Sequence, residues 1–227
     1  MASEAFAMPR PHDLLCGLTA QHLPADAPAW VCAALTRYAP VVVRRAVAEP
    51  GWVAVGIRGA AREERFASWM RLSDVRRRVS PEAIARAGRW VRHAQGQWPA
   101  LRALSYLAAP LNAGGLHWGV TGSLGFELAS GLPAVHPASD LDLLIRAPQP
   151  LSRSWAQGLC TLLDGAPGTV DVQLETPQGA LALREWAKGA PRVLLKTHTG
   201  PVLVNVSSCV PSWTASMLSR SPPRLPE

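Results

Sequence analysis

The pattern of apolar residues from Pro40 to Arg58 looks like strands, and Glu49-Pro50-Gly51 breaks the run in two. This predicts strands over 41–48 and 51–57 joined by a turn, the core of a small β-containing N-terminal domain. From Ser80 the period lengthens. Ser80 suits an N-cap and Pro81 a first helical position, and Ile84, Ala87, Val91 and Ala94 follow at helical spacing. A second helix is predicted over 99–108 with Leu101, Leu104 and Leu107 inward, ended by the segment 110–115. Strands and helices then alternate: a strand at 116–121, a Gly122-Ser123 turn, a short helix at 124–130 closed by Gly131, and a strand at 140–146. A helix at 151–163 follows, with Trp155, Leu159 and Leu162 on one face, then a strand at 169–175 and a helix at 178–188. A hairpin of 193–197 with 202–206 turns around His198-Thr199-Gly200. Residues 207–227, rich in Ser and Pro, are expected to be loosely ordered.

These elements give an α/β (α+β) chain in three parts. Residues 1–79 form a basic β-containing domain, 80–206 a helical linker and a mixed sheet with flanking helices, and 207–227 a tail. No internal repeat is visible, which disfavours a solenoid. Composition fits a globular protein, with 48% hydrophobic and 17% charged residues. No apolar run reaches the ~20 residues of a membrane helix, and residues 1–15 hold no signal-like apolar stretch, so a cytoplasmic protein with no membrane partner is expected. Cys16, Cys32, Cys160 and Cys209 form no C-x-x-C pair, so scattered reduced thiols are expected rather than a thiolate metal site.

The formal charge of +7 is uneven: residues 1–110 hold 15 Arg against 8 acids, while residues 111–227 balance 8 cations with 8 acids. A basic half suggests an anionic partner, although a codon bias towards Arg explains it equally well. Arg44, Arg45 and Arg58 are candidates for phosphates or an acidic protein surface; the simpler account is an exposed edge strand protected by charge. The run Arg76-Arg77-Arg78 reads as a solvated face.

Candidate chemistry centres on three short motifs. Side chains alternate along a strand, so Asp140 and Asp142 project together while Leu141, Leu143 and Ile145 face a core. Two such carboxylates repel unless a cation lies between them, and a hard ion such as Mg²⁺, or Mn²⁺ in its place, suits that donor set. On the next strand Asp171, Gln173 and Glu175 share a face. If the two strands pair, Asp171 completes a trio able to hold two metal ions for displacement at phosphorus. Gly122-Ser123 would let backbone N–H groups approach a phosphate at the start of the following helix. His136 and Ser139 precede the D-x-D strand; His136 reads more simply as a loop residue, Glu127 as a solvated helix residue and Lys196 as a surface lysine, with contact to a triphosphate as its alternative.

Each motif alone is weak, but their order resembles the nucleotidyltransferase superfamily that includes DNA polymerase beta. The run Gly119-Val-Thr-Gly-Ser-Leu-Gly-Phe-Glu-Leu-Ala-Ser-Gly-Leu-Pro133, followed by His136-Pro-Ala-Ser-Asp-Leu-Asp-Leu-Leu-Ile-Arg146, is similar to phosphoribosyl-dephospho-CoA transferases of malonate decarboxylase. Arg10-Pro-His-Asp-Leu-Leu15, Val170-Asp-Val-Gln-Leu-Glu-Thr-Pro177, Glu185-Trp-Ala-Lys188 and Arg192-Val-Leu-Leu-Lys-Thr197 extend the likeness over most of 9–206; after Val206 the chain departs from the pattern. The resemblance implies a transfer of phosphoribosyl-dephospho-CoA from 2'-(5''-triphosphoribosyl)-3'-dephospho-CoA to a serine of the acyl carrier protein subunit, with release of diphosphate. It also implies that Asp140 and Asp142 bind two metals. Asp171 would bind the metal nearer the serine and help take its proton, and Gly122 and Ser123 would hold the departing phosphates. Two alternatives remain open: a nucleotidyltransferase with another acceptor, and a non-catalytic basic protein that binds nucleic acid. The carboxylate trio argues against nucleic acid as a partner.

Overall fold

A computed structural model describes residues 8–36, 39–61 and 63–206; the tail and Cys209 lie outside the described residues. The chain divides into two units, residues 1–80 and 81–227, each built around its own sheet. With six α-helices among the described residues, the protein is α+β. No helix among them is long and apolar enough to cross a membrane.

The first unit is a five-stranded antiparallel sheet. Its strands are β1 (Leu14–Cys16), β2 (Val41–Val43), β3 (Trp52–Arg58), β4 (Arg65–Arg71) and β5 (Arg77–Val79), in the order β4-β3-β2-β1-β5. Helix α1 (Ala29–Thr36) contributes Val31 and Leu35 to a core with Leu15, Val41, Val43, Val53, Val55, Ile57 and Met70. Two expectations change here. The strand predicted over 41–48 is assigned only at 41–43, although the Arg44 N–H still donates to the Ala54 carbonyl at 2.8 Å. Both β2 and β3 are interior strands, so the edge-strand account of Arg44, Arg45 and Arg58 fails; Arg44 instead donates from Nε to the Val55 carbonyl at 2.9 Å. The Arg76–Arg78 run is likewise no simple solvated face. It enters β5, where Arg78 Nε lies 2.6 Å from Oδ2 of the fully buried Asp13. A buried carboxylate has to be compensated in this way.

The second unit holds a six-stranded mixed sheet. Its strands are β6 (Trp118–Val120), β7 (Leu141–Arg146), β8 (Val170–Thr176), β9 (Gly179–Ala182), β10 (Arg192–Thr197) and β11 (Gly200–Asn205), in the order β11-β10-β9-β8-β7-β6. Among the described strands of this sheet β7 and β8 are the one neighbouring pair that runs parallel, and α5 (Arg153–Asp164) connects them. Ser152 caps α5 by accepting from Trp155 N–H at 3.1 Å, and Trp155, Ala156, Leu159 and Leu163 are buried; Leu162, predicted inward, is only half-buried.

Helix α2 (Pro81–Ala87) stops at Gly88, which takes φ 62°, and a short 3-10 turn follows, so Val91 is 75% exposed rather than inward. Helix α3 (Pro99–Ala113) runs on through Pro110, beyond its predicted end. A proline in a helix interior costs about 3 kcal/mol, yet Leu101, Leu104, Leu107 and Leu111 are all buried at about 1.5–3 kcal/mol each, so packing wins. The segment predicted as one helix over 178–188 is instead β9 followed by α6 (Leu183–Lys188). Pro177-Gln178 turns β8 back on itself, and Gly179 to Ala182 pair with Gln173 to Thr176. Gly179 has φ 152°, and a Cβ there would press on the Lys196 carbonyl of β10 at 2.5 Å, so the strand needs glycine at this crossing. The β10–β11 hairpin turns through His198-Thr199, with Thr197 opposite Gly200.

Candidate active site

The parallel pairing of β7 with β8 sets the centre of the site. Its register places Asp142 opposite Asp171, Leu144 opposite Gln173 and Arg146 opposite Glu175. Paired residues share a face. One sheet face therefore carries two aspartates at the start of the strands and an Arg–Glu pair at their end. The opposite face carries Leu141, Leu143, Ile145, Val170, Val172 and Leu174, all buried.

Helix α4 (Gly122–Ser130) begins against Asp142. Thr121 N–H donates to the Asp142 carbonyl at 2.9 Å, joining the end of β6 to β7. Gly122 is the first helical residue, with φ 61°, and a Cβ on it would overlap the Asp142 carboxylate. Both the backbone angle and the space call for glycine. Gly122-Ser123 is thus the opening of α4 rather than a separate turn. The unsatisfied N–H groups of a helix start point outward and favour negative charge, so this end of α4 suits a phosphate beside the aspartates. Gly125 packs its Cα against the Val120 carbonyl, where a Cβ would sit at 2.6 Å, and this close approach seats α4 on β6.

Asp140 lies one residue before β7 and is exposed, as is Asp171; Asp142 is half-buried. Asp142 and Asp171 are neighbours by register, but the predicted trio is not gathered into a cluster. Among the described residues no group of three or more His, Cys, Asp or Glu is arranged to hold a metal ion. Two carboxylates fit a hard divalent ion that completes its shell with water and phosphate oxygens. The Asp142–Asp171 pair, with the helix start beside it, offers that donor set.

A residue read from sequence as solvated turns out to organise the approach to this site. Glu127 of α4 is 14% exposed. Its Oε2 accepts from the N–H groups of Ala134 and Val135 at 2.6 and 2.7 Å, and its Oε1 lies 3.0 Å from His93 Nε2. It pins the middle of the loop 131–139 that delivers Asp140. The end of that loop is closed by Ser139, whose Oγ accepts from His136 N–H at 3.0 Å while its own N–H donates to the His136 carbonyl at 2.9 Å. The signal was present in the sequence: Leu124, Gly125, Phe126 and Leu128 are all buried, so Glu127 is the lone acid in a helix that is apolar nearly all round. His136 is an exposed loop residue, and Lys196 is exposed on β10.

The far end of the same face is a buried ionic cluster. Arg146 Nε donates to Glu82 Oε1 of α2 at 2.7 Å, and Nη1 lies 3.8 Å from Glu175 Oε2. Glu175 is 8% exposed, which separates it from the aspartates despite the shared face. Gly119 of β6 lets α2 close over this end, since a Cβ there would overlap Pro81.

These two units coincide with two known domains. Residues 10–81 match the phosphoribosyl-dephospho-CoA transferase MdcG N-terminal domain, and residues 89–207 the corresponding C-terminal domain. The chain belongs to the phosphoribosyl-dephospho-CoA transferase family. Similar proteins named phosphoribosyl-dephospho-CoA transferase include one from Pseudomonas putida (strain GB-1), 55% identical over 86% of this chain and 93% of its own length. One from Pseudomonas aeruginosa PAO1 is 55% identical over 87% and 93%. Another, from Azotobacter vinelandii, is 48% identical over 88% and 95%. No solved structure matches the chain.

Proposed function

We propose that the chain transfers phosphoribosyl-dephospho-CoA from 2'-(5''-triphosphoribosyl)-3'-dephospho-CoA to a serine of the acyl carrier subunit of malonate decarboxylase. The reaction is a nucleotidyl-type displacement of the polymerase-beta kind. The serine Oγ–P bond forms, the bond from that phosphorus to the diphosphate oxygen breaks, and the serine proton passes to a carboxylate or to water. One observation carries this reading: Asp142 and Asp171 stand in register beside the glycine start of α4, in a chain 55% identical to relatives that bear the transferase name.

Asp142 and Asp171 would hold Mg²⁺ or Mn²⁺, with Asp140 joining when substrate fills the site; the bound ion would lower the charge barrier to attack on a polyanionic phosphate. The residues of the chain do the positioning. The N–H groups at Gly122 and Ser123 orient the departing diphosphate. Asp171, on the strand farther from α4, faces the incoming serine and accepts its proton.

The test is intact-mass spectrometry of the apo carrier subunit after incubation with the protein, the triphosphoribosyl substrate and Mg²⁺. The carrier gains one phosphoribosyl-dephospho-CoA. Chelator, Asp142→Ala and Asp171→Ala each abolish the gain, with the variants folded by circular dichroism. An unmodified carrier with folded wild-type protein refutes the acceptor, and full transfer by both variants at limiting Mg²⁺ refutes the metal assignment.

A further inference from the structure

On β10 and β11 the aspartate-bearing face of the second sheet lies open, while on β9 between them and β8 Ala180 is buried. The pairings Asp142↔Asp171, Glu175↔Ala180, Lys196↔Ala180 and Lys196↔Pro201 carry one face across five strands. On β10 that face presents Arg192, Leu194 and Lys196, and on β11 it presents Pro201, Leu203 and Asn205. The reverse side of β10 presents Val193 and Leu195, both buried. Leu194 and Leu203 are direct cross-strand partners, 41% and 49% exposed. Arg192 and Lys196 flank them, both exposed, and among the described residues neither has an ion-pair partner. β10 runs parallel to β8. Lys196 is level with Glu175 through Ala180, so Arg192, four residues earlier on β10, lies toward the Asp171 end of the sheet.

The geometry of displacement selects the occupant. The start of α4, which suits the departing phosphates, lies on the β6 side of Asp142. An in-line displacement brings the nucleophile from the opposite side of phosphorus, and that direction leads over Asp171 to the β10–β11 hairpin. An adjacent pair of exposed leucines offers nothing to a small anion but suits a protein surface, and the two flanking cations call for carboxylates on it. We propose that the open face of the β10–β11 hairpin docks the acceptor protein, through apolar side chains flanked by carboxylates around the serine to be modified. This rests on the transfer reading above.

The test uses the full chain with two double substitutions, Leu194→Ser with Leu203→Ser, and Arg192→Glu with Lys196→Glu. Each raises KM for the apo carrier roughly tenfold or more, as loss of an interface anchor does, and leaves kcat and the calorimetric Kd for the triphosphoribosyl substrate unchanged. The charge-reversed pair also loses most of the salt dependence of KM. An unchanged KM in both, with wild type active, overturns the docking face and leaves the transfer reading standing; an inactive wild type removes the transfer reading and docking with it. A weakened substrate Kd overturns the proposal by assigning the cations to the triphosphate. An unchanged KM with a lost dimer gives the face to a second copy. An unchanged KM with faster proteolysis in 207–227 gives it to the chain's own C-terminal segment.

Discussion

Replacing Glu127 by Ala removes one carboxylate and leaves three groups to find new partners. The two backbone N–H bonds, at 2.6 and 2.7 Å, are short and charge-assisted, the kind worth about 1.5–3 kcal/mol each. The site is not sealed, with Glu127 and His93 each 14% exposed, so water recovers part of the loss. A net destabilisation of about 2–4 kcal/mol is therefore expected, short of the 5–15 kcal/mol that holds a domain folded. Glu127→Gln keeps an acceptor for the two N–H groups and loses only the charge, so it should cost about half as much. Hydrogen exchange reads the effect where it arises. The Ala134 and Val135 amides should lose protection first and most in Glu127→Ala, and urea unfolding should shift by the same free energy. Carrier modification should slow by on the order of tenfold, because the loosened loop ends at Asp140. Unaltered protection of those two amides, or a Gln variant no better than Ala, would refute the pinning role.

Gly122→Ala places a methyl group against the Asp142 carboxylate at a positive φ. The strain is about 1–2 kcal/mol, while transfer should fall by roughly 100-fold or more because the aspartate must move, as single-turnover kinetics would measure. Arg146→Ala removes a guanidinium from beside Glu82 and Glu175, both 8% exposed. A loss of about 3–5 kcal/mol in denaturant unfolding is expected, and Arg146→Lys should recover only part of it. Burial pushes the Cys160 thiol above its ordinary value of 9.0, with Arg184 opposing and Asp164 adding to the shift. Its folded pKa is raised, so its contribution to stability is full below the unfolded value and fades as pH rises through the folded one. Cys160 should therefore alkylate more slowly at pH 8 than an unfolded control, as peptide mapping after iodoacetamide would show.

The second unit was more legible than the first, for reasons of length and alternation. β7, β8 and α5 carry long, clean periods. The facing of Asp142 toward Asp171 follows once their strands pair in parallel, which the intervening helix implies. β1, β2 and β5 are three residues each, too short for a period to stand out. β4 hides its alternation because Phe66 and Ser68 share the inward side with Met70, while Trp69 points outward and is 43% exposed. From sequence β9 reads as helix because Leu181 and Leu183 fall inside an apolar run that continues into a true helix, and nothing local distinguishes the two. The predicted carboxylate trio assumed that Asp140 begins the strand. It stands just before β7, so strand alternation does not control where its side chain points.

The two ends of the aspartate face are tied together by register. Arg146 is four residues after Asp142 and Glu175 four after Asp171, and both steps lie on parallel strands. A slip of one residue between β7 and β8 would turn one aspartate away from the other. The same slip would pull the Arg146 guanidinium away from a carboxylate that is almost wholly buried. Buried ion pairs add little net stability against apolar packing, yet a broken one is expensive. The Glu82–Arg146–Glu175 cluster therefore discriminates among registers more than it stabilises any one of them, and the register it selects is the one that brings Asp142 beside Asp171. Replacing all three by apolar residues of similar size would test this: stability could hold or rise, while carrier modification should fall as alternative pairings of β7 and β8 become populated.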